Sequence, residues 1–92
     1  MIHKGEIYIT DRYRGGKKDY GRPVLILSSA ENNRETGCVG AVPLVSRERY
    51  AAASHIAVES VQGQTYVAVL EHVKSLPERS LQRRKDHLSR HA

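Results

Sequence analysis

Apolar and polar residues alternate along much of this chain with a period that predicts short β-strands. Near the start, Ile7 and Ile9 alternate with polar neighbours, so a half-buried strand is expected within residues 4–11. Residues 24–28 begin with an uninterrupted apolar run that directly follows Pro23. Such a run, rich in β-branched residues and bounded by a proline and by serines, predicts a strand that is buried on both faces.

Three more strands are expected in the rest of the chain. They span residues 38–45, 55–59 and 65–70, and the last of them continues towards Val73. Pro43 lies inside the first of these three, where a proline indicates a sheet edge or a β-bulge. Turn-forming residues fill the segments 29–37 and 61–64, which are therefore expected to be turns.

Two helices are also expected. Residues 46–53 contain helix formers, with Ser46 as the N-cap and Glu48 in the first turn, and predict one or two helical turns. Residues 78–88 follow a proline and place Leu81 and Leu88 seven positions apart. This spacing puts both leucines on one face, so a thinly amphipathic C-terminal helix with a basic outer side is expected.

Five short strands, one short internal helix and one terminal helix indicate a mostly β protein with short helices. The 92 residues are expected to form a single domain, a small and mostly antiparallel barrel or curved sheet. Phenylalanine and tryptophan are absent, so the core is modest. A second copy of the chain covering an additional surface, in a homodimer, is therefore a hypothesis.

Cysteine usage and hydropathy narrow the class of protein. Cys38 is the single cysteine and lies in an apolar context, so it is expected to be a small core residue rather than a nucleophile or a disulfide partner. The paired Cys/His spacing of zinc sites is absent, and neither a metal nor a cofactor is expected. No stretch resembles a signal peptide or is long enough to span a bilayer, so a cytoplasmic location without a membrane partner is expected.

The net charge of +5 is distributed unevenly. Residues 12–22 carry five basic side chains against one acidic, and residues 74–91 carry six against two, whereas residues 23–73 hold three basic and five acidic. This concentration favours a polyanionic partner, and counterion release would make its binding strongly salt-dependent. The alternative is two solvated basic segments without a partner.

The basic loop at residues 12–21 leads directly into the buried strand through Arg22. Pro23 biases Arg22 towards an extended backbone, so the strand can aim the guanidinium at a ligand; a surface ion pair is the alternative. Tyr13 and Tyr20 lie among the cations of the loop. Such a mixture suits single-stranded nucleic acid, because cations bind phosphates and rings stack on bases, although Tyr20 is equally compatible with capping the core edge.

A set of short motifs extends over nearly the whole chain. They are Gly5 to Tyr8, Gly21 to Leu27, Asn33, Ala41 to Ser46, His55 to Val58, and Val69 to Leu76. In their order and spacing these motifs resemble the MazF/PemK family of toxin–antitoxin systems, whose members are endoribonuclease toxins. The resemblance implies an SH3-like barrel in a single domain over residues 1–92.

The resemblance also implies an activity, the metal-independent cleavage of single-stranded RNA by attack of the 2′-hydroxyl on the adjacent phosphate. This reaction needs a base, an acid and a cation for the developing charge on the phosphorus oxygens. Arg22 aligns with the family's loop arginine, and its planar fork suits a phosphate. The catalytic residues expected from the resemblance are Arg22, Ser46, Asp19, His72 and Glu71, and the expected RNA-binding residues are Arg12, Arg14, Lys17, Lys18, Tyr20 and Arg47.

Some positions differ from the family pattern. Val45 stands where the family usually has a threonine, and the neighbouring Ser46 would point to the opposite face of a regular strand unless a bulge follows Pro43. Asp19 is the candidate for the acidic residue of the family's loop. Where many members have Asp-Gln, this chain has Glu71 and His72; a histidine suits acid–base work, and a structural role is the alternative.

The partners implied by the resemblance are single-stranded RNA as the substrate and a cognate antitoxin. The antitoxin is expected to cover the basic groove with an acidic, partly disordered tail, and operator DNA is expected to bind only together with it. The alternative function is a catalytically inactive barrel that binds nucleic acid or a protein target, as the related gyrase-poisoning toxins do.

Overall fold

The computed structural model describes residues 1–10, 12–14, 17–19, 21–47 and 50–89, of which 12–14 and 17–19 are described by their backbone alone. The strands are β1 (Glu6–Thr10), β2 (Arg12–Arg14), β3 (Lys17–Asp19), β4 (Pro23–Ile26), β5 (Cys38–Val45), β6 (His55–Glu59), β7 (Thr65–Val69), β8 (Lys74–Pro77) and β9 (Leu81–His87). The helices are α1 (Ala30–Thr36) and the 3₁₀ helices Leu70–His72 and Glu78–Ser80. The expected strands near residues 4–11, 24–28, 38–45, 55–59 and 65–70 are all present.

The strands of the main sheet pair antiparallel in the order β6-β7-β5-β4-β1-β9, and β8 pairs with the first half of β5. A bridge between Ser60 and Leu88 joins the segments that follow the two end strands. The N–H of Val61 donates to the carbonyl of His87 at 2.9 Å, and the N–H of Ser89 donates to the carbonyl of Glu59 at 2.9 Å. The two end strands therefore meet, and the sheet curls into the small barrel that was expected.

Apolar side chains fill both sides of the sheet. One cluster contains Ile7, Leu25, Val42, Leu44, Tyr66 and Ala68, and the other contains Ile2, Val24, Ile26, Val39 and Ala41. Val24 and Ile26 belong to one cluster and Leu25 to the other, because successive side chains of a strand point to opposite faces. The prediction that β4 is buried on both faces is confirmed.

The prediction of a turn at residues 29–37 is wrong, because most of this segment forms α1. Ser29 caps the helix by accepting a hydrogen bond from the N–H of Asn32 at 3.2 Å, and Gly37 ends it with a φ of 70°. The buried Asn33 gives the helix its contact with the barrel, since its Nδ2 donates to the carbonyl of Ile2 at 3.0 Å. Residues that favour turns in isolation therefore serve here as caps and as a buried anchor.

The prediction of a short helix at residues 46–53 is also wrong for the part of this segment that the structure describes. Residues 46, 47 and 50–53 contain bends and a turn but no helix. The carbonyl of Ala52 accepts from the N–H of His55 at 3.0 Å, and the ring of Tyr50 packs on the ring of His55. These contacts with the start of β6 replace the hydrogen bonds that a local helix would make.

The expected C-terminal helix at residues 78–88 is replaced by a 3₁₀ helix and by β9, which pairs with β1 along its whole length. Leu81 packs against one apolar cluster and Leu88 against the other, so the two leucines do not share a helix face. Pairing with β1 satisfies the backbone groups of a strand edge that would otherwise be open. That gain comes from tertiary contacts and overrides the helix propensity of the segment.

Two more differences concern segments around the site. The expected extension of β7 towards Val73 is wrong, since the strand ends at Val69 and a 3₁₀ helix follows. The loop expected at residues 12–21 contains a hairpin of β2 and β3, in which Arg12 pairs with Asp19 and Arg14 with Lys17. In the described part of the chain, no helix has both the length and the hydropathy needed to cross a membrane.

Candidate active-site groove

The site lies where β5 changes its pairing partner. Residues 38–41 of β5 pair with β8, whereas Leu44 and Val45 pair with β7. On its other edge β5 pairs with β4, and the N–H of Leu27 donates to the carbonyl of Gly40 at 2.8 Å. Because hydrogen-bonded pairs alternate along an antiparallel ladder, the nitrogen of Pro43 faces away from β4, towards the interval between β8 and β7. A proline is tolerated there because no ladder bond is lost, which agrees with the expectation of an edge or a bulge.

The 3₁₀ helix Leu70–His72 connects β7 to β8 across this interval. Its first N–H, on Leu70, donates to the carbonyl of Ser54 at 3.0 Å, and the N–H of Val73 returns to the carbonyl of Leu70 at 3.1 Å. The side chain of Leu70 packs against a core cluster, while His72 is exposed. The helix therefore presents His72 to solvent beside Pro43.

Arg22 approaches the same point from the other side, held by the end of β1. The carbonyl of Arg22 accepts from the N–H of Thr10 at 3.1 Å and from its hydroxyl at 3.3 Å. A Cβ atom on Gly21 would lie 2.2 Å from the Thr10 carbonyl oxygen, so only a glycine allows the chain to pass β1 this closely. These contacts fix the backbone of Arg22 and leave its side chain exposed.

Two adjoining cavities form a groove around these residues, and Arg22, Pro43 and His72 line both of them. The first cavity, of about 620 Å³, is completed by Thr10, Val24, Lys74, Leu76 and Ser80. The second, of about 860 Å³, is completed by Val45, Ser46, Arg47, Tyr50, His55 and Val69. We call the three shared residues the junction of the groove.

Basic side chains outnumber acidic ones in the groove. Arg22, Arg47, His72 and Lys74 are all exposed and line it, and neither cavity has an aspartate or a glutamate among its described lining residues. Three residues with hydroxyl side chains, Thr10, Ser46 and Ser80, also line the groove. This arrangement suits a ligand that carries a series of negative charges and accepts hydrogen bonds.

Val45 and Ser46 line the same cavity although they are adjacent in sequence. Strand β5 ends at Val45, and Ser46 occupies a bend, so the alternation of faces no longer applies at this point. Both residues therefore border the second cavity, although a regular strand would separate them.

Glu71 lies beside the groove and pairs with His55 at the start of β6. Loss of solvent raises the pKa of the Glu71 carboxyl, but hydrogen bonds from the side chains of His55 and Ser54 outweigh this effect and hold the pKa below its ordinary value of 4.5. The side chain of His55 is only 4% exposed, and the ring of Tyr50 lies 4.9 Å from it between centroids. Glu71 is thus ionised near neutral pH and held by its neighbours.

Of the catalytic candidates, Arg22, Ser46 and His72 come together in the groove, and Arg47 joins them from the RNA-binding set. Glu71 belongs to the same 3₁₀ helix as His72 but points to His55. Asp19, Arg12, Arg14, Lys17 and Lys18 lie in the β2–β3 hairpin, where the structure describes the backbone alone, and Tyr20 lies outside the described residues.

Lys74, Tyr50 and His55 line the groove but are absent from the sequence-based set of candidates. Lys74 belongs to the basic C-terminal segment and to the last family motif, but its proximity to Arg22 depends on the pairing of β8 with β5. His55 opens a strand and belongs to one of the family motifs, but the motif assigns it no role. What marks His55 as a functional candidate is its contact with the carboxylate of Glu71. This contact is visible only in the structure, because the two residues are distant in the sequence.

A comparison with protein-family models supplies the affiliation. Residues 3–92 match the model described as PemK-like, MazF-like toxin of type II toxin–antitoxin system. The chain belongs to this family. Among curated protein sequences there is no significant match.

Solved structures of PemK/MazF-like proteins share the fold. An endoribonuclease from a mycobacterial species superposes with a TM-score of 0.76 at 21% identity, over 98% of this chain and 78% of that chain. An endoribonuclease in complex with its cognate antitoxin, also mycobacterial, gives 0.76 at 23% identity, over 99% and 82%. The MazE–MazF complex of Deinococcus radiodurans gives 0.75 at 25% identity, over 96% and 79%. These similarities confirm the PemK/MazF-like barrel.

Proposed function

We propose that this PemK/MazF-like toxin is an endoribonuclease that cleaves single-stranded RNA, acting as one domain over residues 1–92. The observation that carries the proposal is the junction of the groove, where the guanidinium of Arg22 and the imidazole of His72 adjoin both cavities. An RNA strand laid along the groove would place one phosphate at the junction and a nucleotide in each cavity. Family membership and endoribonuclease relatives of the same fold support this reading.

The reaction forms a bond between the 2′-oxygen and phosphorus and breaks the bond between phosphorus and the 5′-oxygen. The 2′-hydroxyl loses a proton to a base, and the leaving 5′-oxygen gains one, so the products are a cyclic phosphate and a free 5′-hydroxyl. Arg22 stabilises the charge that develops on the phosphate oxygens, because a planar guanidinium binds two of them at once. His72 transfers a proton, and Ser46 donates a hydrogen bond from the second cavity.

The remaining residues hold the strand. Lys74 and Arg47 bind phosphates on either side of the junction, and Tyr50 offers a ring on which a base stacks. The basic residues of the β2–β3 hairpin, Arg12, Arg14, Lys17 and Lys18, would close over the RNA together with Tyr20, and Asp19 would take part in proton transfer or in base selection.

The same groove is proposed as the antitoxin site. An acidic, disordered tail of the antitoxin matches the charge of Arg22, Arg47 and Lys74, and two solved relatives are complexes with an antitoxin. The toxin would act in the cytoplasm as a homodimer and reach operator DNA only in the antitoxin complex.

The decisive experiment measures cleavage of a long single-stranded RNA in EDTA at low salt, with protein freed of antitoxin. Arg22→Ala is compared with Arg34→Ala, which removes an exposed arginine from α1. We expect wild type and Arg34→Ala to cut equally, and Arg22→Ala to cut ~10²-fold more slowly, the usual loss for one charge-stabilising donor.

Two results would contradict this expectation. Equal cutting by Arg22→Ala would remove Arg22 from the centre of the reaction. Absence of cutting by the wild type, together with RNA binding that weakens steeply with salt, would instead favour the catalytically inactive binding barrel.

A further inference from the structure

A semi-buried pair of side chains, His55 and Glu71, lies at the edge of the second cavity. The Nε2 of His55, on β6, and the Oε1 of Glu71, on the 3₁₀ helix Leu70–His72, form a close hydrogen bond. Because an ionised carboxylate can only accept hydrogen bonds, the proton of this contact belongs to Nε2, whether the imidazole is neutral or charged. Glu71 therefore fixes both the orientation and the tautomer of His55.

The pair is one of several contacts that hold this 3₁₀ helix. The N–H of Leu70 donates to the carbonyl of Ser54, and the carboxylate of Glu71 also accepts from the side chain of Ser54. Residues 54 and 55 thus hold the first two residues of a three-residue helix, and His72 is the third. A helix this short has little internal hydrogen bonding, so its position depends on these external contacts.

His55 also reaches the segment that follows β5. The ring of Tyr50 packs on it with centroids 4.9 Å apart and an interplanar angle of 51°. Tyr50 and His55 line the second cavity together with Ser46 and Arg47. One imidazole therefore contacts both sides of the groove, the segment that bears Ser46 and the helix that bears His72.

We propose that His55 and Glu71 form a positioning pair, which holds His72 in place and so sets the rate of RNA cleavage without contacting the scissile phosphate. This inference rests on the proposed function and extends it to two residues beside the junction of the groove. Misplacement of a catalytic group by about 1 Å costs up to ~10²-fold in rate. The pair connects the three-residue helix Leu70–His72 to a segment whose described residues, 46, 47 and 50–53, contain only bends and a turn.

Two conservative substitutions separate positioning from charge. Glu71→Asp keeps the negative charge but shortens the side chain by one methylene, so the carboxylate no longer reaches His55. Glu71→Gln keeps the length and an acceptor oxygen but removes the charge. The same two changes at Glu35, on the exposed side of α1, serve as matched controls.

The measurements are single-turnover cleavage of single-stranded RNA in EDTA, the dissociation constant of the same RNA, and the imidazole NMR signal of His72. We expect Glu71→Asp to cut about 10- to 100-fold more slowly, with unchanged RNA affinity and a shifted or broadened His72 signal. We expect Glu71→Gln to remain within about threefold of wild type, because a neutral hydrogen bond replaces the charged one. In a His72→Ala background, Glu71→Asp should have no further effect, since the pair acts through His72.

The opposite order, with Glu71→Asp active and Glu71→Gln inactive, would overturn the proposal in favour of a charge effect. Wild-type rates and an unchanged His72 signal in both variants would overturn it as well, and so would a loss confined to RNA affinity. In each of these cases the wild type still cuts and Arg22→Ala does not, so the proposed function stands. If the wild type itself does not cut RNA, the proposed function fails, and the inferred role of the pair in cleavage fails with it.

Discussion

Arg22 and His72 both adjoin the two cavities of the groove, although one precedes β4 and the other ends the 3₁₀ helix between β7 and β8. Each is fixed through its backbone, Arg22 by Thr10 and the helix of His72 by Ser54. The interval in the pairing of β5 leaves room between them. The junction therefore lies at an interval in the pairing of β5 that Pro43 cannot close, since a proline cannot donate a ladder hydrogen bond.

Ser46 is expected to supply the hydroxyl that Val45 lacks, because both residues line the second cavity. Ser46→Ala should slow RNA cleavage about 10-fold, the effect of losing one hydrogen bond to a charged group. In a Val45→Thr background the same change should cost less, since a threonine hydroxyl would occupy nearly the same place. Single-turnover rates decide this, with Ser75→Ala on β8 as the control; equal rates for Ser46→Ala and Ser75→Ala would exclude the role.

The strands of the barrel could be predicted from the period of apolar residues wherever the core determines them, as in β1 and β4. Strand β9 could not be predicted in this way, because it lacks alternating apolar residues. Its buried residue is Asp86, and its Lys85 lies over the ring of Tyr66. Its partner, the open edge of β1, is distant in the sequence. The pattern of one sequence indicates secondary-structure propensity and local burial. It does not show the stabilisation that a strand gains by pairing with a distant segment.

The candidate site could be predicted only in part, because some of its residues meet through long-range contacts. Arg22 and His72 follow from the chain pattern and the family motifs, and both line the groove. Lys74 and His55 reach it only through the pairing of β8 with β5 and the contact with Glu71. Their roles depend on distances between elements, which neither charge distribution nor motif spacing provides.

Lys74 is expected to bind a phosphate in the first cavity, which it lines together with Arg22. Lys74→Ala should weaken RNA binding for every sequence and reduce the slope of log affinity against log salt concentration by about 1, because one fewer counterion is released. Binding isotherms at several salt concentrations measure this. Lys4→Ala removes an exposed lysine near the N-terminus and should leave the slope unchanged; equal slopes for both variants would place Lys74 outside the RNA path.

Asn33 is expected to be the main polar anchor of α1. It is 2% exposed, its Nδ2 donates to the carbonyl of Ile2 at 3.0 Å, and its Oδ1 accepts from the hydroxyl of Ser28. That hydroxyl oxygen in turn accepts from the N–H of Gly40 at 2.8 Å. Asn33→Ala should lower the free energy of unfolding by about 1–3 kcal/mol, because the partners stay buried without a bond.

The matched control for this prediction is Asn32→Ala, one residue earlier on the exposed side of α1. Its side-chain hydrogen bonds are long, 3.3 Å to Asn33 and 3.5 Å to Cys38, so a loss of about 0.5 kcal/mol or less is expected. Urea denaturation with an unchanged slope would measure both losses. Equal losses in the two variants would contradict the anchoring role of Asn33.

Glu6 joins β1 to β9 through a hydrogen-bonded ion pair with Arg84 at 2.9 Å. Burial raises the pKa of Glu6, but hydrogen bonds from the backbone N–H of His3 and from Arg84 outweigh it and hold the pKa below its ordinary value of 4.5. The hydroxyl of Tyr8 lies 3.4 Å from the same carboxylate, and the pKa of Tyr8 is raised by its own burial and by that charge. The carboxylate is therefore favoured in the folded state.

The sign of the resulting pH dependence follows from this lowered pKa. The unfolded chain binds a proton at Glu6 more readily than the folded one, so the stabilisation is complete above about pH 5 and is lost as the pH falls below 4.5. Glu6→Gln should reduce the free energy of unfolding by about 1 kcal/mol at neutral pH, and the difference from wild type should shrink towards acid pH. Thermal unfolding measured from pH 7 to pH 3 tests this, with Glu35→Gln on α1 as the control. A gap between wild type and Glu6→Gln that is the same at every pH would mean that Glu6 stabilises the barrel by its shape and packing rather than by its charge.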